Sequence, residues 1–401
     1  MTLRPICRTV ALAAVSLGST QADSGMNPER LGWIRARMQE FVDAGRVAGV
    51  VTLIQRHGQV ASFEAVGFQD LESKTPMRKD TIFQIMSMTK PVTATGVMVL
   101  LEEGELALSD SVEKHLPEFR GQRLIVSRSD DGAVTLAKPP RPITIFDLMT
   151  HTSGMAGDFP EGLADILTKF DRTLAEAVAT YSQQPLQFPP GSRWQYSNMG
   201  IATLGRIIEV VSGQRFEEFI HSRICAPLGM KDSFFFLPQD RRSRLASLYT
   251  YTDGKLIKSE NDTSRKGARY PMPEGGMYST AEDMAAFYQM MLTKGTYNGK
   301  RILSSASVEL MTRNHTGAFQ AGFSPGIGFG LGWAVVREPA GMFRLNSIGT
   351  FGHGGAYRTY GWVDPEKDML GVILMQRTNL GGDLAEEFNA VMQIAASAIE
   401  R

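Results

Sequence analysis

Residues 91–101, Pro-Val-Thr-Ala-Thr-Gly-Val-Met-Val-Leu-Leu, narrow what this chain can become more than any other segment. A helix of this composition is apolar on nearly every side, so it has no face to give to water and must be enclosed by other elements. Glu102-Glu103-Gly104 ends it, and Pro91 is tolerable only near its start, where backbone N–H groups lack intrahelical partners. The 401 residues, 43% of them hydrophobic, supply the core such a helix needs and allow one large domain or two interleaved ones.

Directly ahead of this helix stands Ser87-Met88-Thr89-Lys90. Three residues are close to one helical turn, so the hydroxyl and the amine project from one face and can share a proton. A serine hydroxyl is a poor nucleophile near neutral pH, and a partly desolvated lysine with a lowered pKa is one way to take its proton. In the first turn of a helix the dipole also favours developing negative charge. The pattern points to a covalent acyl-transfer enzyme. The same spacing recurs at Ser111 and Lys114, but among Asp110, Glu113 and His115 it reads as a solvated, charged face.

Charge argues against several other classes. Lys and Arg number 42 against 42 Asp and Glu, which leaves no global field for nucleic acid or an anionic membrane surface. The two cysteines, Cys7 and Cys225, imply neither a disulfide framework nor a cysteine metal site, and the six histidines lack ligand spacing. The expectation is therefore no metal and no organic cofactor. Past the first residues, no stretch approaches the roughly 20 apolar residues that span a bilayer. Within residues 1–25, Arg4 and Arg8 precede an apolar run from Val10 to Leu17, and Thr20-Gln21-Ala22 offers a cleavage site. That is the outline of a secretory signal peptide, so the expected location is periplasmic or secreted. Met26 is an alternative start, with a cytoplasmic product as its consequence.

From Pro28 to Ala44 the pattern predicts an amphipathic helix with Leu31, Ile34, Met38 and Phe41 on one face. Val50–Gln55 and Val60–Val66 flank Arg56-His57-Gly58-Gln59 as an antiparallel hairpin. Helical signals dominate residues 106–225, at Ile145–Thr150, Leu163–Tyr181, Ile201–Val211 and Phe216–Ile224, while Ser127–Pro142 reads as an exposed loop. Strands return at Gly332–Val336, Tyr357–Val363 and Met369–Gln376, before a closing helix from Asp383 to Ile399. The expected architecture is α/β in the α+β sense: an antiparallel sheet built from both chain ends and flanked by helices. Its parts would be 26–105 and 226–401, with a mostly helical subdomain, 106–225, inserted between them.

A Ser/Lys pair needs a second proton-handling group for the leaving group and donors for the oxyanion. Tyr196-Ser197-Asn198 suits the first role: it follows the turn Pro189-Pro190-Gly191-Ser192 and immediately precedes a helix. The competing reading makes Tyr196 a loop aromatic and Asn198 a helix cap. His353-Gly354-Gly355 precedes the alternating strand Ala356–Val363, where glycines allow a strand backbone to approach a substrate closely. His315-Thr316-Gly317 has the same form but follows a helix and reads as a turn. Gly322-Phe323-Ser324-Pro325-Gly326 imitates the nucleophile elbow of α/β-hydrolases. Pro325 excludes that use, since the elbow needs the N–H that proline lacks.

With Ser87-x-x-Lys90, Tyr196-x-Asn198 and His353-x-Gly355 in this order, the chain resembles the serine β-lactamase and penicillin-binding-protein superfamily, most closely family VIII carboxylesterases and class C β-lactamases. The likeness spans residues 28–400 and includes ITIFDLMTHTSG (143–154), GGMYSTAEDM (275–284) and FGLGWAV (329–335). It implies a β-lactamase-like fold with Ser87 as the acyl-accepting nucleophile, Lys90 as the amine that takes or relays its proton, and Tyr196 as partner in protonating the leaving group. Asn198 would orient Lys90 or the substrate, the N–H groups of Ser87 and Ala356 would form the oxyanion hole, and His353, Gly354 and Gly355 would border the substrate. The resemblance breaks at His353, where class C β-lactamases carry the lysine of Lys-Thr-Gly. A histidine is a weaker, pH-dependent anchor for an anion, which favours neutral esters. The expected function is hydrolysis of small short-chain carboxylic esters. The alternatives on the same residues are a β-lactamase, a D-amino-acid-specific peptidase, or a sensor that acylates once without turnover. Oligomeric state is left open.

Overall fold

The computed structural model describes residues 24–400 apart from 158–162, 164, 261–262 and 380–384. The candidate export segment therefore lies outside the described residues except for Ser24 and Gly25.

Eight strands form one antiparallel sheet: β1 (Gly49–Arg56), β2 (Gln59–Asp70), β3 (Thr75–Pro76), β4 (Ile327–Phe329), β5 (Ala334–Val336), β6 (Phe351–Gly355), β7 (Thr359–Asp364) and β8 (Met369–Leu374). Their spatial order is β4-β5-β6-β7-β8-β1-β2-β3. The two ends of the chain meet where β1 pairs with β8, from Val51 opposite Leu374 to Arg56 opposite Met369. Between β1 and β2 the turn runs through His57 and Gly58, with φ of 52° and 71°, the left-handed pair that a two-residue hairpin requires.

Period-two alternation assigns each side of the sheet to a different core. Val50, Ile54, Tyr360, Trp362 and Ile373 face one layer, made by α1 (Pro28–Asp43) and the C-terminal helix Glu386–Ser397. Leu53, Val363, Leu370, Val372 and Leu374 face the other, where helix Ala281–Leu292 and α2 (Thr89–Glu102) lie. Gly361 marks the contact: a Cβ there would fall 2.1 Å from the Tyr288 ring, so glycine is what lets helix Ala281–Leu292 sit against β7. Helix α2 is buried at every position from Thr89 to Leu100. Its far side is covered by α3 (Asn198–Ser212) and the helix Phe216–Ile220.

Three local expectations needed correction. Ser127–Pro142 is not simply a loop, because Leu124–Arg128 and Val134–Ala137 pair as a hairpin whose tip is closed by Gly132 N–H donating to the Ser129 carbonyl at 2.9 Å. The charged tip at Asp130 and Asp131 and the charge- and proline-rich stretch from Lys138 to Pro142 had masked these two short strands. Leu163–Tyr181 is not continuous either: Phe170 turns left-handed at φ 54°, and a capping box of Thr173 with Glu176 starts a fresh helix at Leu174. Finally, α2 begins at Thr89, and Ser87 lies in a preceding 3₁₀ turn, Met86–Met88.

Candidate active site

The turn that carries Ser87 is strained and held from three directions. Met86 adopts φ of 51°, a left-handed conformation that costs a residue with a Cβ on the order of 1–2 kcal/mol. Ile85 N–H donates to the Met277 carbonyl at 3.0 Å, and Thr359 Oγ1 donates to the Ile85 carbonyl at 2.9 Å. Thr89 Oγ1 donates to the Met86 carbonyl at 2.6 Å and accepts from Met277 N–H at 3.2 Å. Gly355 completes the clamp, since a Cβ there would lie 2.2 Å from the Ile85 carbonyl oxygen. Strand β6 thus reaches the turn that carries Ser87 only because position 355 is glycine. Ala356 follows at the exposed end of that strand, and Gly354 pairs with Tyr360 inside it.

Lys90 is fully buried, and its Nζ donates to Ser87 Oγ at 2.9 Å and to the Glu274 carbonyl at 2.6 Å. Burial pushes the amine well down from its ordinary value, while the negative charge of Glu274 pulls it back up. The ammonium also sits 4.7 Å from the Tyr196 ring centroid. Burial drives the Tyr196 phenol up, and its hydrogen bond with Ser87 acts in the opposite direction. Tyr196 therefore joins Ser87 and Lys90 although it lies far from them in the chain. Asn198 opens α3, but the cap is Ser197, whose Oγ accepts from Gly200 N–H at 3.1 Å. The hydrogen bonds of the Lys90 amine go to Ser87 and Glu274, so the expectation that Asn198 orients it gains no contact here.

Two imidazoles border Tyr196. His353 lies on β6, its ring 6.1 Å from that of Tyr196, and its Nδ1 bonds the Gly354 carbonyl at 2.7 Å. Nδ1 therefore carries the proton and Nε2 is left without a protein partner. Burial and then the charge of Lys90 push His353 down to about 3. This corrects the expectation of a pH-dependent anchor, because a ring so desolvated stays neutral throughout the range near neutrality. An unfolded histidine takes its proton near 6.5, so between these values the unfolded chain binds more protons than the folded one. Stability from this site is complete above 6.5 and is lost as pH falls. In a thermal melt series His353→Asn is expected to lose less Tm than wild type between neutral pH and about pH 4.

The second imidazole, His151, was not among the residues that sequence reasoning selected, although ITIFDLMTHTSG contains it. Its ring centroid is 4.6 Å from that of Tyr196, Nδ1 accepts from Ser197 N–H at 3.2 Å, and Nε2 has no protein partner. Burial, then the charge of Lys90, then that of His353 push it well below its ordinary value. Its backbone is left-handed at φ 58°, and its carbonyl accepts from Gln195 N–H at 2.9 Å. The stretch thus serves as a bracket for the Tyr196 loop. Trp194, Phe323 and Phe329 were likewise missed. Trp194 and Phe323 pack on Tyr196, at 6.3 and 5.1 Å, while Phe329 lies 5.3 Å from Trp194.

Of the competing motifs, Lys114 pairs with Asp110 at 2.7 Å on the surface and His315 Nε2 bonds the Leu310 carbonyl at 2.7 Å. Ser324 is part of the loop before β4 and directly follows Phe323. Among the described residues no group of His, Cys, Asp or Glu side chains has the arrangement of a metal site, and no helix is long and apolar enough to cross a membrane.

The sequence profile of the beta-lactamase family matches residues 34–396. The chain belongs to the beta-lactamase family. Members similar to it include Esterase EstB of Burkholderia gladioli, 31% identical over 84% of this chain and 88% of that protein. The D-alanyl-D-alanine-carboxypeptidase/endopeptidase AmpH of Escherichia coli K12 is 25% identical over 94% and 92%. Among solved structures EstCE1, a hydrolase with promiscuous acyltransferase activity, superposes with a TM-score of 0.78 at 26% identity, covering 93% of this chain and 99% of that one. The beta-lactamase fold expected from the sequence is therefore the fold found, and the chain is a hydrolase of that fold with esterase and peptidase relatives.

Proposed function

We propose that this chain is a serine carboxylesterase that cleaves short-chain esters through an acyl-enzyme on Ser87. The observation that carries this reading is the fully buried Lys90 amine 2.9 Å from Ser87 Oγ, beside Tyr196. Desolvation favours the neutral amine, the form that accepts a proton. As Oγ bonds to the ester carbonyl carbon, the hydroxyl proton passes to Nζ and the carbonyl electron pair moves to oxygen, next to the N-terminal end of α2. Collapse expels the alkoxide, which takes a proton from Tyr196 or through it from Lys90. Water then repeats the attack on the acyl-enzyme and frees the acid.

Two features favour a neutral ester over a β-lactam carboxylate. His353 is held neutral where an anion anchor would stand. Phe323, 79% exposed, meets Trp194 and Tyr196 edge-on and adds apolar surface on that side. The esterase relatives support the same reading. Steady-state turnover of p-nitrophenyl butyrate, a chromogenic cephalosporin and a D-alanyl-D-alanine peptide at equal enzyme concentration tests it. The ester is expected to be turned over fastest. Dominance of the cephalosporin or the peptide would overturn the substrate assignment, and a single stoichiometric burst without turnover would make the chain a sensor.

A further inference from the structure

We propose that the Glu274 carboxylate is a positioning group for catalysis: it is the buried counter-charge that stabilises the Lys90 ammonium formed when Ser87 is acylated. The inference rests on the reading of Lys90 as the base for Ser87. Glu274 is 1% exposed, a rare placement for a carboxylate and a costly one without compensating partners. Its two oxygens accept from the Tyr270 hydroxyl at 2.9 and 3.1 Å, and the Tyr181 hydroxyl lies 3.4 Å behind that of Tyr270. Its backbone carbonyl takes the Lys90 amine directly. A line of buried polar groups thus runs from Tyr181 through Tyr270, Glu274 and Lys90 to Ser87.

The charged and titratable groups around the pair come from several elements. Toward Lys90 these are Ser87, Tyr196, His151, His353 and Glu274. Toward Glu274 they are Lys90, Tyr270, Tyr181, Tyr196 and Arg265. Arg265 is itself engaged by the Phe235 carbonyl at 2.6 Å and by the Tyr278 hydroxyl at 3.1 Å. Burial raises Glu274 and lowers Lys90, and the charge of each opposes the shift of the other. During acylation the Ser87 O–H bond breaks, an N–H bond forms on Lys90, and Oγ bonds to the acyl carbon. The new positive charge appears where water is excluded, so a nearby negative charge is worth far more than at a surface. Nothing in this step consumes Glu274, which acts only through Lys90.

Glu274→Gln keeps the shape and removes the charge. The ammonium loses support, the Lys90 pKa falls further, and the reactive neutral amine persists to lower pH. That amine is also a weaker base, so the plateau rate falls. The test is the rate of Ser87 sulfonylation by phenylmethanesulfonyl fluoride, a neutral reagent that needs no ester specificity, measured against pH with the adduct located by mass. In Glu274→Gln the acidic limb is expected to move down by about one to two pH units, and the plateau to fall about tenfold. Tyr270→Phe retains the charge but removes its donor, so Glu274 protonates more readily and the limb moves the same way by less. Sulfonylation of Ser87 with an unmoved limb in the folded variants would overturn this inference and leave the esterase reading standing. Should Glu274→Gln fail to fold, Tyr270→Phe decides alone. Wild type that is not modified at Ser87 would overturn both.

Discussion

Replacing Ser87 by alanine is expected to lower ester turnover by on the order of 10⁴-fold or more, with melting temperature nearly unchanged. In the proposed mechanism the loss is large because the hydroxyl is the group that bonds the acyl carbon, so no neighbouring side chain substitutes for it. Fold is spared because Ser87 is half-buried, and the turn around it is held by backbone and threonine contacts at Ile85, Met86 and Met277 rather than by Oγ. The same substitution at Ser324 or Ser111 is expected to leave turnover within about twofold of wild type, because neither hydroxyl has a lysine amine beside it: Lys114 pairs with Asp110, and Ser324 follows Phe323 in a loop. Steady-state hydrolysis of p-nitrophenyl butyrate by the three variants checks all of this in one assay. Retained turnover in Ser87→Ala would mean a different nucleophile.

The second large effect belongs to Lys90→Met, expected to reduce kcat about 10³-fold, within the range of removing a general base. Methionine matches the length of the lysine stem and suits a fully buried site, so the α2 core around Val92 and Ala94 has no reason to collapse. What disappears is the acceptor 2.9 Å from Oγ. Tyr196→Phe separates the two proton handlers. If Lys90 takes the serine proton and Tyr196 serves the leaving group, single-turnover acylation by an activated nitrophenyl ester should survive better in Tyr196→Phe than in Lys90→Met. Equal loss in both would make the phenol part of the base.

Much of this molecule could be read in its sequence where one physical signal dominated. The apolar run after Lys90 required a buried helix, and the strand signals at Val50–Ile54 and Tyr360–Val363 marked a sheet whose two faces meet different cores. The one-turn spacing of Ser87 and Lys90 already put amine and hydroxyl within reach. Residues that act through tertiary contact were illegible. His151 belongs to the site only because its carbonyl and Nδ1 bind the Tyr196 loop, and nothing within ITIFDLMTHTSG says which loop will arrive. Glu274 carried a trace, a charge between Pro273 and the Gly275-Gly276 pair, yet its burial depends on Tyr270 and Lys90. The left-handed backbone at Met86 had no signal, since methionine does not favour it. His353 was selected for its glycine neighbours, and its loss of pH dependence near neutrality was not readable because desolvation is a property of packing.

The seam between β1 and β8 has a consequence in time. Val51 waits for Leu374, and the turn at Ile85 waits for Thr359 and Gly355, so the N-terminal hairpin and α2 are synthesised long before the strands that align them. Closing so long a loop costs little extra free energy but slows folding, because the contacts that reward closure come only after it. A nascent chain therefore holds Ser87 and Lys90 early, and the contacts that set the turn around them come last. With Ser87 as the proposed nucleophile, the arrival of the final strands completes its surroundings only once most of the polypeptide has been made.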